Sequence, residues 1–160
     1  MLSFRAERSD DPESRGILSY DQKRILFLCT GNSCRSQMAE GWARHFHGDT
    51  LEVYSAGTTP FGVDPRAIQV MTESGVDISG QTSNHVDEYI ALPFDLVVTV
   101  CDNAREACPA FPGEGRTVHH SFDDPPSLAQ NAPNKDEALI PYRRVRDETR
   151  DYVLHLTAQL

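Results

Sequence analysis

The chain is 160 residues long, enough for one domain with a sizeable core, and it carries 24 acidic against 15 basic residues for a formal net charge of −9. That balance argues against nonspecific binding to nucleic acid or to an anionic membrane, so an anionic substrate needs a locally positive site. No apolar run reaches membrane-spanning length and the N-terminus lacks the apolar centre of a signal peptide; a cytoplasmic protein is expected, whose four cysteines are buried thiols, metal ligands or reactive groups rather than structural disulfides.

Residues 1–23 are polar and charged, as in Arg8–Gly16, and read as a flexible extension ahead of a folded domain over residues 24–160. Ile25–Leu28 is a continuous apolar run, the pattern of a buried parallel strand. The loop Cys29–Ser36 follows, and Gln37–Phe46 has helical spacing. Leu51–Tyr54 alternates like a strand. Asp64-Pro65 is a helix start, Ile68 and Met71 supply its apolar face, and Gly75 is a stop. Residues 84–92 read as a short helix ended by Pro93, Leu96–Val100 as another buried strand, and Thr117–Phe122 as a weaker fourth strand. The last twenty or so residues place Val145, Tyr152 or Val153, and Leu156 at helical spacing.

Alternating strands and helices predict an α/β fold: a three-layer α/β/α sandwich on a four-stranded parallel sheet of order 2-1-3-4. Its switch point lies between the first and third strands, at their C-terminal ends. Neighbouring strands are about 4.8 Å apart, so this order carries Cys29 and Cys101, which follow those two strands, into one crevice.

A loop between a strand end and a helix start aims backbone N–H groups outward beside a positive helix dipole, a cradle for a tetrahedral oxyanion. Thr30, Gly31, Asn32, Ser33, Cys34, Arg35 and Ser36 form that candidate cradle. Cys29 is the candidate nucleophile, since a helix N-terminus, several N–H groups and an arginine favour its thiolate, and Ser36 can donate to it. Arg35 offers a planar fork to two oxygens of the anion. Gly31 allows close backbone approach and Asn32 tolerates left-handed torsions. An isolated Cys-x5-Arg reads equally well as a buried cysteine beside a surface arginine; the flanking strand, Gly-Asn, Ser36 and helix shift the balance to a reaction site. Asp124, in Asp123-Asp124-Pro125-Pro126, is the candidate general acid, although Asp-Pro alone reads as a turn. Cys-x4-Cys and Cys-x6-Cys fit zinc poorly, so no metal site is expected. His119-His120 is assigned to surface or packing. Were Cys101 to Cys108 helical, their Cα atoms would lie about 10.5 Å apart, beyond the roughly 4.4–6.8 Å of a disulfide, and the segment would have to unwind to form one. Residues 102–107 show no strong stabilising pattern and Pro109 ends them.

Cys29 to Ser36 together with Asp124-Pro125 resemble the low-molecular-weight tyrosine phosphatase superfamily, whose signature is Cys-x5-Arg-Ser with a distant Asp-Pro. The chain is more closely similar to the thioredoxin-coupled arsenate reductases of that superfamily. The likeness rests on Cys29–Ala43, Tyr54–Gly57, Asp77–Ser79, Gln81–Ser83, Asp95–Thr99 with Cys101 and Cys108, Phe122–Pro125 and Arg144–Glu148, spanning about residues 24–160. The resemblance implies a phosphatase-like fold and an enzyme of arsenic detoxification. By that resemblance Cys29 attacks arsenate, Asp124 protonates the leaving oxygen, and Cys101 attacks the adduct to release arsenite and leave a Cys29–Cys101 disulfide. Cys108 then attacks Cys101, and thioredoxin reduces the Cys101–Cys108 bridge. Cys34 matches an extra loop cysteine with a packing role. No tightly bound cofactor is expected. Some members bind potassium through side chains matching Asn32, Ser55, Thr82 and position 84, but Asn84 stands here for the expected acid, which weakens cation attraction. Arsenate and thioredoxin are the expected partners and a monomer the expected state. The alternatives are a protein tyrosine phosphatase, disfavoured because Pro126 replaces the aromatic residue after Asp-Pro, and a non-enzymatic oxyanion or redox sensor. Weak phosphatase activity on aryl phosphates is compatible with the shared loop.

Overall fold

The computed structural model describes residues 22–156 and 160. Apart from Gln22 and Lys23, the expected N-terminal extension lies outside the described residues. Strand β1 (Lys23–Cys29) is flanked by β2 (Leu51–Gly57) and β3 (Leu96–Thr99), and β4 (Arg116–His119) pairs with β3. All pairings are parallel and the order is β2-β1-β3-β4, as expected.

Parallel strands need crossovers. These are α1 (Arg35–His47), α2 (Pro65–Glu73) with a 3-10 turn (Val86–Tyr89), and α3 (Asp102–Ala107), while α4 (Pro125–Leu128) and α5 (Lys135–Leu154) follow β4. Ile25, Leu26, Phe27 and Leu28 are all 0% exposed, because β1 is paired on both edges and covered on both faces. One face packs under α1: Ser55 Oγ donates to Glu40 Oε1 at 2.6 Å and Arg44 Nη2 to the Val53 carbonyl at 2.7 Å. Helix α5 lies over α1, where Trp42 Nε1 donates to the Arg146 carbonyl at 3.1 Å. The other face is thinner, closed by α3 and by edge-on ring contacts of Tyr54 with Tyr89 and Phe94, and of Phe94 with Phe111. These are the three layers.

Asp64 caps α2 by accepting from the Arg66 N–H at 2.9 Å, Pro65 sits at the first helical position, and Gly75 (φ +82°) ends the segment. Two sequence expectations are corrected. The helix expected over 84–92 is a single 3-10 turn closed by His85 and Glu88, since only Val86 in it is buried and one anchor does not sustain an α-helix. The fourth strand ends at His119 rather than Phe122: β3 ends at Thr99, and beyond it His120 and Phe122 are held by single bonds from their N–H groups to the Thr99 and Val100 carbonyls rather than by ladder pairing. Helix α5 starts earlier than its C-terminal pattern suggested. Asn134 caps it, and burial of Leu139 and Tyr142 carries it through Pro141. Among the described residues no helix is long and apolar enough to cross a membrane.

Candidate active site

Cys29 ends β1 and Arg35 begins α1, so the loop between them lies at the C-terminal edge of the sheet, at the predicted switch point. Its carbonyls are turned away from the site. Cys29, Thr30, Gly31 and Ser33 accept from the backbone N–H groups of Thr58, Thr59, Phe61 and Asp64, and the Asn32 carbonyl accepts from Gln37 Nε2 at 2.9 Å. With its carbonyls so occupied, the loop has its N–H groups left to offer an anion. Cys34, the N-cap of α1, makes no side-chain cap bond, and no acid stands in the first turn, which keeps the helix N-terminus open to an anion.

Asn32 is the strut of the loop. It is fully buried at φ +46°, its Nδ2 donates to Ser36 Oγ at 2.8 Å and Ser55 Oγ at 2.9 Å, and its Oδ1 accepts from the Asn84 N–H at 2.8 Å. Asparagine tolerates this left-handed region because its short polar side chain bonds locally. Gly57 underlies the loop so closely that a Cβ there would strike the Thr30 carbonyl oxygen and come within 2.8 Å of the Asn32 nitrogen.

Above the loop lies a cavity of about 520 Å³ lined by Cys29, Cys34, Arg35, Asp64, Phe61 and Asp124, among others. Arg35 Nη1 donates to the Phe122 carbonyl at 3.1 Å and Nη2 sits 3.5 Å from Asp124 Oδ1, while Nε is buried without a hydrogen-bond partner among the described residues. A buried donor left unpaired is costly unless a ligand completes it. The two adjacent aspartates diverge. Asp123 is drawn off by Arg144 at 2.9 Å, and Asp124 faces the cavity with Oδ2 accepting from Ser127 at 2.9 Å. The sequence reading did not find Phe61, which is 74% exposed at the cavity rim and pressed against Gly31, nor the second role of Asp64, whose Oδ2 accepts from Tyr142 at 2.6 Å. Pro60-Phe61-Gly62 was a visible turn; its facing the loop was not.

Cys29 and Cys101 are brought together, and Thr30 Oγ1 lies 3.3 Å from Cys101 Sγ. The two sulfurs shift each other in opposite directions. Hydrogen bonding to Cys101, then burial, pushes the Cys29 thiol well up despite Arg35. The bond from Cys29, together with Thr30 and the Ala104 N–H, brings Cys101 down to about 5 against burial. Of the pair, Cys101 is the more acidic thiol. Burial pushes Cys34 well up and Cys108 up, so both are thiols at neutral pH. The expected signature is a thiolate ultraviolet absorbance step centred near pH 5 that appears as pH rises and is missing from Cys101→Ser; a first step only above pH 8 would contradict this assignment. Cys108 caps the C-terminal end of α3, so the two thiols flank an intact helix.

The groups matched to a potassium site are occupied with one another. Asn32 turns its amide N–H toward Ser55, Thr82 Oγ1 donates to Asn84 Oδ1 at 2.7 Å, and Asn84 Nδ2 donates to Glu88 at 3.1 Å. Among the described residues no group of three or more His, Cys, Asp and Glu side chains is placed to hold a metal ion.

The comparisons agree with this geometry. Residues 24–160 match the profile described as low molecular weight phosphotyrosine protein phosphatase. An arsenate reductase of Halalkalibacterium halodurans is 50% identical over 128 residues, covering 80% of this chain and 90% of its own. An arsenate reductase solved in the phosphate-binding state superposes with a TM-score of 0.67 at 32% identity, covering 86% of this chain and 98% of its own. A low molecular weight protein tyrosine phosphatase from T. tengcongensis gives 0.68 at 26% identity, covering 87% and 100%. The chain belongs to the low molecular weight phosphotyrosine protein phosphatase family.

Proposed function

We propose that this chain reduces arsenate to arsenite and regenerates itself through a relay of three thiols. The observation that carries the reading is the meeting of Cys29 and Cys101 at the ends of the paired strands β1 and β3, where Thr30 touches Cys101, with Cys108 one short helix away. A phosphatase clears its cysteinyl adduct with water and has no use for the second and third thiols. Arsenate reductases among the relatives and a phosphate-binding state in one of them support the same reading.

The loop N–H groups and Arg35, including its unpaired Nε, hold the oxyanion over Cys29. The Cys29 thiol gives its proton to a bound arsenate oxygen and attacks arsenic as the thiolate: a sulfur–arsenic bond forms, an arsenic–oxygen bond breaks, and that oxygen leaves as water after protonation by Asp124. The Cys101 thiolate then attacks the Cys29 sulfur. The sulfur–arsenic bonding pair passes to arsenic, As(V) becomes As(III), arsenite departs, and the two sulfurs are joined. Cys108 attacks Cys101, the Cys29 thiol is restored, and a dithiol donor, thioredoxin by our reading, reduces the Cys101–Cys108 bridge. Helix α3 must open for that step, since about 10.5 Å of helical rise separates the two Cα atoms and a disulfide allows about 4.4–6.8 Å.

No step needs potassium. The side chains matched to its site already satisfy one another and Asn84 adds no charge, so kcat is expected to be equal in sodium and potassium buffers. A severalfold potassium stimulation would overturn this part of the reading. The function itself is tested by turnover with arsenate, thioredoxin, thioredoxin reductase and NADPH. Arsenite should appear in step with NADPH oxidation, and NADPH oxidation without arsenite, or neither, would refute it.

A further inference from the structure

Resting on the thiol relay just proposed, a further role falls to a residue that relay does not use. His119 ends β4 and bridges two elements: Nδ1 lies 2.7 Å from Thr99 Oγ1 at the end of β3, and Nε2 lies 3.0 Å from Asp102 Oδ1 at the start of α3. Thr99 is fully buried, and the His119 side chain is 20% exposed against 74% for Asp102. The link therefore ties an exposed helix end to the interior of the sheet.

Helix α3 has six residues, too few to be stable alone. Its two ends are held very differently. At the N-terminal end Val100 donates to the Leu28 carbonyl at 3.0 Å, Cys101 Sγ rests on Thr30, Ala104 is buried, and Asp102 is held by His119. At the C-terminal end Arg105, Glu106 and Ala107 are exposed, Cys108 is extended, and Pro109 has no N–H to give. Relay chemistry makes opposite demands on these ends. Cys101 must stay aimed at the Cys29 sulfur for the first displacement, and Cys108 must travel to Cys101 for the second.

We propose that His119 is a positioning residue: by joining Thr99 to Asp102 it clamps the first turn of α3 to the sheet, so that Cys101 holds its place beside Cys29 while the helix opens from the Cys108 end. Neither strand that carries the clamp moves when α3 unwinds, so the anchor persists through the exchange.

The test uses Asp102→Ala, a change at an exposed side chain, together with His119→Ala, His119→Gln and Asp102→Asn. The last two keep a donor or an acceptor for the link. In the reduced protein, amide exchange at Arg105, whose N–H closes the first turn by donating to the Cys101 carbonyl, should speed up about three- to tenfold in both alanine variants and return toward the parent rate in His119→Gln and Asp102→Asn. In turnover, kcat should fall by a similar factor with KM for arsenate unchanged, because the oxyanion loop makes no bond to this pair. Parent-like exchange in both alanine variants would overturn the clamp. So would a rise in KM parallel to the loss in kcat, which marks general damage to the fold. Should the parent protein not reduce arsenate at all, the functional reading fails by that result, and the exchange measurement still decides whether the clamp exists.

Discussion

Cys29→Ser is expected to lower arsenate reduction by at least about 10⁴-fold, the scale of losing a nucleophile that works as part of a unit. Serine fits the space of the thiol, but its hydroxyl is a far weaker nucleophile and cannot give up the electrons that arsenic requires. The cradle itself should survive. Its carbonyls are tied to residues 58–64 and its strut is Asn32, and neither depends on the Cys29 sulfur. Calorimetric titration with phosphate should therefore give a dissociation constant within a few-fold of the parent. Loss of both activity and anion binding would mean that the sulfur builds the loop, contrary to the bonding observed.

The second large effect separates the two later thiols. Cys108→Ser should release one arsenite per chain and stop, with Cys29 and Cys101 joined. Quenched reactions analysed by peptide mass would show that bond. Cys101→Ser should release no arsenite, since water attacking the adduct only returns arsenate, while retaining any hydrolysis of small aryl phosphates, which uses only the loop and Asp124. Sustained turnover in either variant would eliminate the relay. The order follows from position: Cys101 is buried against Cys29, whereas Cys108 is half-buried at the loose end of α3.

Much of the fold was legible before any coordinate. Strands β1 and β3 are short apolar runs because each is covered on both faces, and the parallel order followed from their alternation with helices. The sheet edge was less legible. Thr117–Phe122 reads as one weak strand, yet ladder pairing gives way after His119 to isolated bonds from His120 and Phe122, and only the partner strand could reveal that. Residues 84–92 had helical character but one buried anchor, and burial depends on what the rest of the chain places overhead.

At the site, the loop from Cys29 to Ser36 was readable because its chemistry is contiguous: the nucleophile, the turn residues and the arginine lie within eight positions. Asp124 could be ranked over Asp123 by its proline neighbour, but what separates their environments is Arg144, twenty positions further on. Local sequence shows Cys29 beside Arg35 and the helix start, but not the Cys101 sulfur that influences it. Phe61 at the rim and His119 at the clamp carried no local signal at all.

The sequence by itself determined the class of fold and the capacity to hold an oxyanion over a cysteine. Those properties come from periodicity and from short-range backbone geometry, which a contiguous segment encodes. Only the tertiary structure decided that Cys29 and Cys101 influence one another, which aspartate enters the cavity, and which end of α3 is anchored. Each of these depends on an approach of a few ångströms between residues tens of positions apart. At that range desolvation and hydrogen bonding outweigh any intrinsic preference of the residue.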